Sequence, residues 1–283
     1  CGWRGYCKVE HRMSKLRSFI KDTLPEPLLQ KARACNDSLA HLKAWPEAAF
    51  HPWRRDTINQ LRTLKDSHQG QRCFIMGNGP SLAKTDLSKL KNEFTFGMNR
   101  IYLAFPEMGF KTSYYLSVND LVIEQCAEDI QKLSMPRFVS WRSRKWLSPQ
   151  DNLFFLHTTY TGPRFTKDLT KRLWESATVT YVALQAAYYL GFSTVILIGV
   201  DHNFETKGKP NTTIVSQGDD PNHFSPHYFG KGFRWQLPDL ETSELGYRMA
   251  KEAFESAGRQ VLDATIGGKL TIFPKIDYES LFD

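Results

Sequence analysis

From Cys73 onward, short apolar runs alternate with helix-length segments, and this alternation constrains the fold more than any other feature of the chain. The runs that predict strands are CFIMG, FTFGMN, SYYLSV, RFVSW, NLFFLH, TVILIGV and QVLDAT. Both faces of such strands are apolar, as in parallel sheets that helices cover on both sides. The sequence therefore predicts an α/β fold with a Rossmann-like, mostly parallel sheet and helices on both faces.

The long apolar run at 178–200 has the length of a membrane span, but Gly191 and Ser193 divide it into a helix followed by a strand. The formal net charge of +7 suits an anionic partner. Basic residues are dispersed and no RNA- or DNA-binding motif is present, so nucleic acid is not expected as a partner. The five cysteines lack metal-binding spacing, which favours a reducing cytoplasm.

The stretch GNGPSL at 77–82 follows the first predicted strand and predicts a tight turn into a helix. Gly77 and Gly79 let the backbone approach a ligand, Asn78 supplies an amide, and Ser81 stands at a helix N-cap position. The third glycine of a dinucleotide fingerprint and the lysine of a Walker A loop are missing. Phosphate is the ligand that this turn favours, and a turn without a ligand is the alternative.

Polar residues stand at the carboxyl ends of three further predicted strands. The carboxyl ends of parallel strands meet at one edge of the sheet, where ligands bind. We therefore expect a shared polar rim that binds a nucleotide, with helix capping or solvation as the alternative role for each residue. These residues are Asn99, Arg100, Asn119, Asp120 and Asp201.

Residues 202–240 form a long predicted loop rich in Gly, Pro, Asn, Asp, His and aromatic residues. Loops of this length in compact domains are commonly lids or binding loops, so we expect a lid here. Histidine titrates near neutral pH, and either His223 or His227 could take a proton from a hydroxyl nucleophile. Lys231 and Arg234 could reach phosphate when the lid closes.

Metal binding by the same loop is the competing hypothesis. The set Asp219, Asp220, His223 and His227 contains two histidines four residues apart. Pro226 opposes a helix there, which weakens the usual argument for zinc. The sequence therefore predicts no metal site.

Residues 1–70 carry interrupted helical spacing and are predicted to be a helical N-terminal appendage. Residues 71–283 are predicted to be a Rossmann-like nucleotide-binding transferase domain with its lid at 202–240. A basic N-terminal helix is compatible with peripheral contact at the inner face of the membrane. A homo-oligomer is also compatible with the sequence.

The order and spacing of GNGPSL, GMNR, LGFSTVILIGVD and HYFG resemble the bacterial sialyltransferases of glycosyltransferase family 42, over roughly 73–232. The resemblance implies one Rossmann-like domain with a lid that binds a CMP-activated sugar without a metal. It implies that Asn78 and Ser81 lie at the donor phosphate and sugar, that Asn99 lies at the cytidine, and that His227 is the base for the acceptor hydroxyl.

The chain departs from that family at two places. His202, Asn203 and Phe204 stand where the family has the tyrosines that bind the leaving phosphate. Arg100, Lys231 and Arg234 are the candidates for that task. TVT replaces the family's Thr-Ser-Gly at the start of the long helix, which leaves Thr178 and Thr180 as partial substitutes.

The lid DPNHF…YFGKGFRW at 219–235 and the segment GGKLTIFPKIDYESLF at 267–282 also resemble the broader family related to the archaeal 6-hydroxymethyl-7,8-dihydropterin pyrophosphokinase. That resemblance implies ATP and Mg²⁺, with Asp201, Asp219 or Asp220 on the metal. A transferase is common to both resemblances. We favour a glycosyltransferase in glycan or polysaccharide synthesis, with a nucleotide-activated donor and a glycan or small-molecule acceptor. A nucleotide-binding module without catalysis is the third hypothesis.

Overall fold

The computed structural model describes residues 45–205 and 208–283. The chain divides into two compact units, Cys1–Glu47 and Ala48–Asp283, and the second contains the central sheet. Most of the predicted N-terminal appendage, residues 1–44, lies outside the described residues. The prediction of membrane contact through its basic helix therefore stays a prediction.

The strands and helices follow each other in the predicted alternation. In chain order the strands are β1 (Arg72–Met76), β2 (Phe94–Met98), β3 (Tyr114–Ser117), β4 (Arg137–Ser140), β5 (Leu153–Leu156), β6 (Thr158–Thr159), β7 (Leu173–Trp174), β8 (Thr194–Ile198), β9 (Thr213–Val215), β10 (Arg234–Gln236) and β11 (Gln260–Asp263). The helices are α1 (Pro52–Leu64), α2 (Phe105–Met108), α3 (Asp120–Lys132), α4 (Val179–Leu190) and α5 (Leu240–Glu255). Short 3₁₀ helices are Pro80–Lys84, Leu87–Leu90, Ile101–Ala104, Trp141–Lys145 and Glu279–Leu281.

The central sheet has seven strands in the order β11-β8-β1-β2-β3-β4-β5, and all pairs in it are parallel. These are the seven strands that the sequence predicts, so the predicted fold class is confirmed. The chain winds from β1 toward β5 and then returns to place β8 on the other side of β1. Ligands of open parallel sheets bind at the carboxyl ends of strands where the winding direction reverses. That switch point lies between β1 and β8.

Both faces of the sheet are covered by apolar layers. Helix α4 buries ten of its twelve residues, which explains why its sequence is apolar nearly all round. It ends at Gly191, whose φ of 98° is left-handed, and β8 follows, as predicted for the apolar run. Helix α1 falls within residues 1–70, the predicted appendage, but it packs on the sheet. Its Leu61 is fully buried, and its Trp53 stacks on Phe155 of β5.

In the part of the chain that the structure describes, none of the helices combines the length and apolarity needed to cross a bilayer. The lid segment contains a small antiparallel pair, β9 with β10.

The turn after β1 differs from the sequence expectation. A five-residue 3₁₀ helix, Pro80–Lys84, replaces the expected helix, and Gly79 rather than Ser81 stands at its N-cap. So short an element does not supply the helix dipole that the sequence led us to expect there.

Candidate functional site

The ends of β1 and β8 touch through their backbones. The Gly77 amide donates to the carbonyl of Ile198 (2.7 Å), and the Gly79 amide donates to that of Gly199 (2.9 Å). A Cβ on Gly77 would lie 2.2 Å from the Gly199 oxygen, and one on Gly79 would lie 1.9 Å from Oδ2 of Asp201. The two glycines are therefore required for this close approach of the two strand ends.

Asp201 and Ser81, two predicted ligand-binding residues, bind each other. The Ser81 amide donates to Oδ1 of Asp201 (3.1 Å), and the Ser81 hydroxyl donates to Oδ2 (2.7 Å). The carboxylate thereby ties the turn after β1 to the end of β8. Asp201 therefore stabilises this turn, and it also lines the adjoining cavity.

A first cavity of about 160 Å³ opens at this switch point. The turn Gly77–Gly79 forms one wall, and Thr178 and Thr180 at the start of α4 form another. The hydroxyl of Thr178 caps α4 by accepting the Thr180 amide (3.3 Å). The N-terminus of a twelve-residue helix carries partial positive charge and unpaired amides, which favour an anion.

Asn78 faces the same cavity with a fixed orientation. Its side-chain Nδ2 donates to the carbonyl of Met98 (3.1 Å), and its backbone carbonyl accepts a hydrogen bond from the Phe224 amide of the lid (2.9 Å). Its Oδ1 is buried and has no hydrogen-bond partner among the described residues. Asn78 therefore connects β1, β2 and the lid, and leaves one acceptor atom unsatisfied.

Three residues at or beside the first cavity have left-handed backbone. Ser176 and Ala177, directly before α4, have φ of 49° and 55°, and His202 after β8 has φ of 53°. Such conformations cost free energy in residues with a Cβ and cluster at functional sites. The turn is held in place because the Ser176 hydroxyl donates to the carbonyl of Thr242 (2.6 Å).

A second cavity of about 540 Å³ adjoins the first. Its walls combine side-chain amides, carboxylates and aromatic rings from the sheet edge, α3 and the lid. The residues that line both cavities are Ala177, Thr178, Val179, Phe204, His223 and Pro238. The two cavities thus share one wall, as a two-substrate site requires.

Arg142 supports the second cavity from behind. Its Nε donates to both oxygens of Asp120 (3.2 Å each) and its Nη2 to Oε1 of Glu175 (2.7 Å). Burial raises the pKa of Glu175, while the neighbouring carboxylates outweigh burial at Arg142 and raise the pKa of its guanidinium. The guanidinium therefore stays charged and fixes the two carboxylates in place.

His223 stands on the shared wall, and a carboxylate orients it. Nδ1 of His223 lies 2.7 Å from Oδ2 of Asp220, whose carboxylate also accepts the amides of Asn222 (2.9 Å) and Phe229 (3.2 Å). The ring stacks on Tyr228 with centroids 4.0 Å apart. An ionised carboxylate only accepts hydrogen bonds, so Nδ1 carries the proton and Nε2 keeps a lone pair for a substrate.

His227, the other predicted base, is exposed and does not line either cavity. Its carbonyl accepts Nη1 of Arg100 (3.2 Å), and the same Nη1 donates to the carbonyl of Tyr228. The Arg100 guanidinium also lies over the ring of Phe233, 5.2 Å from its centroid. The structure thus places Arg100 on the lid backbone, where it holds the lid to the end of β2.

The remaining predicted residues fall into two groups. Asn99, Asn119 and Asp120 line the second cavity, although the Asn119 side chain also caps α3. Lys231 is exposed, and Arg234 pairs with Glu124 of α3 (3.0 Å), so this lid arginine is held on a helix. Among the described residues no group of three or more His, Cys, Asp or Glu side chains is arranged to hold a metal ion.

The roles of Arg142 and Glu175 and the orienting role of Asp220 were not predicted from the sequence. The segment WRSRKW at 141–146, which contains Arg142, is in the sequence the one aromatic and basic cluster that would favour nucleic-acid binding. The pair Asp220 and His223 is only three residues apart, so that spacing was the signal available. The hydrogen bond between Arg142 and Glu175 joins residues 33 positions apart, and a contact over that separation leaves no pattern in the sequence.

Comparison with known proteins gives a matching family model and similar solved structures. The family model described as 6-hydroxymethylpterin diphosphokinase MptE-like matches residues 52–207, more than half of the chain. The solved structure of a MAf glycosyltransferase from Magnetospirillum magneticum AMB-1 aligns with a TM-score of 0.47 and 14% identity, over 86% of this chain and 42% of that chain. This chain therefore spans less than half of that protein. No curated protein matches the sequence.

Proposed function

The chain belongs to the 6-hydroxymethylpterin diphosphokinase MptE-like family, and from this premise we propose that it is a transferase that uses a nucleotide donor. The group is transferred to a hydroxyl acceptor, with His223 as the general base. The observation that carries the proposal is the position of His223, oriented by Asp220, on the wall shared by the two cavities.

The donor phosphates are assigned to the first cavity. The turn at Gly77–Gly79 permits close backbone approach, and the start of α4 supplies amides and positive partial charge. When the bond to the donor phosphate breaks, its electron pair leaves on a phosphate oxygen. Fixed amides and dipoles stabilise that developing charge without reorganising.

The acceptor hydroxyl is assigned to the second cavity. Nε2 of His223 takes the hydroxyl proton as the oxygen attacks the donor, and Asp220 stabilises the imidazolium that forms. The lid contributes His223 itself and is held by Arg100 and by the Arg234–Glu124 ion pair. A closed lid excludes water, which would otherwise compete with the acceptor.

Two reactions are candidates, glycosyl transfer and diphosphate transfer. We favour glycosyl transfer from a CMP-activated, sialic-acid-like donor, without a metal. Asp201 is the carboxylate that lines the first cavity within the described residues, and the amide and hydroxyl of Ser81 compete with Mg²⁺ for its two oxygens. Phosphoryl transfer relies on carboxylates that hold Mg²⁺ against the phosphates. Glycosyl transfer to a glycan or small-molecule acceptor makes no such demand on Asp201.

Diphosphate transfer from ATP is the second candidate, and the description of the family model favours it. Asp201 would then contact Mg²⁺ together with the donor phosphates, and Mg²⁺ would neutralise charge on the transferred group. His223 would take the proton from the acceptor hydroxyl as before. The two reactions therefore differ in the nucleoside and in the metal requirement.

A thermal-shift panel of CMP, CDP, UDP, GDP, ATP and ADP, each with Mg²⁺ or with EDTA, tests the proposal. A ligand that binds the native state raises the melting temperature. Stabilisation by CMP that persists in EDTA supports glycosyl transfer, and stabilisation by ATP that needs Mg²⁺ supports diphosphate transfer. If none of the six nucleotides raises the melting temperature, the proposal fails.

Two histidine variants test the base. With the donor that stabilises the protein, His223→Gln should lower turnover roughly 10²- to 10⁴-fold while keeping the thermal shift. His227→Gln should lower it less than about threefold, because this exposed ring lies outside both cavities. The reverse order of effects would identify His227 as the base.

A further inference from the structure

The second cavity carries charge opposite to that of the whole chain. Asp120, Glu175 and Asp239 line it, and no lysine or arginine does among the residues that the structure describes. The chain as a whole has a formal net charge of +7. A concave site lined by one sign of charge concentrates its field and selects ligands of the opposite sign or of none.

Arg142, which pairs with Asp120 and Glu175, balances one of these three negative charges, but it offers a ligand no free hydrogen-bond donor. Nε of Arg142 donates to Asp120. Nη1 donates to the carbonyl (3.1 Å) and the hydroxyl (3.0 Å) of Thr158. Nη2 donates to Glu175 and to the carbonyl of Val118 (3.3 Å). An anion could gain a hydrogen bond from Arg142 only by breaking one of these contacts.

The same cavity presents aromatic faces beside its carboxylates. The Tyr160 ring lies over the Arg142 guanidinium at 4.3 Å and is 57% exposed. On the lid side, Phe229 and Trp235 stack with centroids 5.5 Å apart. Aromatic rings accommodate apolar ring faces and attract ammonium groups. Carboxylates and amides accept hydrogen bonds from hydroxyl and amino groups.

We infer that the second cavity selects an acceptor without negative charge, a polyhydroxy or amino-polyhydroxy compound whose O–H and N–H groups donate to Asp120, Glu175 and Asp239. An acidic or phosphorylated acceptor is rejected because its charge would face three carboxylates that one guanidinium balances only in part, and that guanidinium has no free donor for it. That the bound compound is an acceptor rests on the proposed function. The charge selectivity is a property of the cavity and does not depend on that function.

Three sugars with the same pyranose ring test the selectivity: glucosamine, glucose and glucuronate. Saturation-transfer NMR on the full chain, with and without CMP, should detect glucosamine and glucose and should not detect glucuronate. Asp239→Asn should weaken glucosamine binding roughly three- to tenfold and change glucose binding little. This substitution keeps an N-cap for α5, where Asp239 now accepts the Thr242 amide (3.0 Å).

The matched control is Asp151→Asn, which removes the same charge just before β5, at the opposite edge of the sheet. It should leave the order of affinity for the three sugars unchanged. Binding of glucuronate equal to or tighter than that of glucosamine overturns the inference, as does failure to detect both glucosamine and glucose. If a nucleotide stabilises the protein and selectivity is absent, only this inference fails. Selectivity without any nucleotide effect contradicts the proposed function instead.

Discussion

Asp220 holds His223 by a hydrogen bond of 2.7 Å between Oδ2 and Nδ1, and that carboxylate is itself buried and accepts two backbone amides. The arrangement sets the tautomer of the imidazole and leaves Nε2 as the proton acceptor. His223 also lines both cavities, so its geometry connects the fold of the lid to the chemistry we propose.

Asp220→Asn should lower turnover roughly 10²- to 10⁴-fold, because an amide can donate to Nδ1 and so place the imidazole proton on Nε2. With the amide nitrogen in the place of Oδ2, the asparagine oxygen still accepts the Asn222 amide, but the buried Phe229 amide loses its acceptor. We therefore expect a melting temperature lowered by the loss of about 1–3 kcal/mol of stability and a nucleotide-induced shift that persists. Initial rates with the stabilising donor measure the effect, and Asp151→Asn is the control. Turnover equal to that of the wild type would rule out the orienting role of Asp220.

Gly77→Ala should destabilise the fold by about 1–3 kcal/mol, because its Cβ would meet the rigid backbone of Gly199 at 2.2 Å. The matched control is Gly218→Ala, since a Cβ there has nothing within 4 Å. The control should change the free energy of unfolding by less than about 0.5 kcal/mol. Urea unfolding of both variants measures this difference, and equal stability of the two would show that the strand ends can separate freely.

Arg100→Met should loosen the lid without unfolding the sheet. The substitution removes the charged donors to the carbonyls of His227 and Tyr228. Hydrogen bonds from charged groups contribute about 1.5–3 kcal/mol, so amide exchange in 222–235 should accelerate at least tenfold. Arg248→Met, at an exposed site on α5, serves as the control. Unchanged exchange in 222–235 would mean that other contacts hold the lid.

The stability of the fold should fall at alkaline pH through Cys73. Burial raises the pKa of its thiol well above the ordinary value. Below about pH 8.5 the folded and unfolded states are both protonated and the thiol has no effect. Above it, the unfolded state loses the proton and the folded state keeps it, so the free energy of unfolding falls by up to about 1.4 kcal/mol per pH unit.

Denaturant unfolding between pH 7 and pH 10 checks this sign. Cys73→Ala should be less stable at pH 7, because it leaves a small cavity, but its stability should fall less steeply above pH 8.5. The difference in slope is the readout, and it does not depend on the offset. Identical slopes for the two proteins would contradict a buried, protonated Cys73.

The polar rim shows how far local patterns can predict a site. The glycines at 77 and 79, the residues after β2 and β3, and the lid histidines lie at the carboxyl edge, because parallel strands bring their carboxyl ends together. Which of them face a cavity was not predictable. Arg100 was predicted at phosphate and lies on the lid backbone, and Asp201 contacts Ser81 across 120 positions of sequence.

The sequence by itself determined the seven parallel strands, the apolar helix α4 and the long segment that follows β8, because hydrophobic periodicity and Gly and Pro breakers act within a few residues. Only the tertiary structure decided which histidine lines both cavities and that Arg142 donates to Asp120 and Glu175. It also decided that Ser176 and Ala177 adopt left-handed backbone before α4. These features depend on contacts between segments far apart in the chain, and such contacts leave no periodic signal in the sequence.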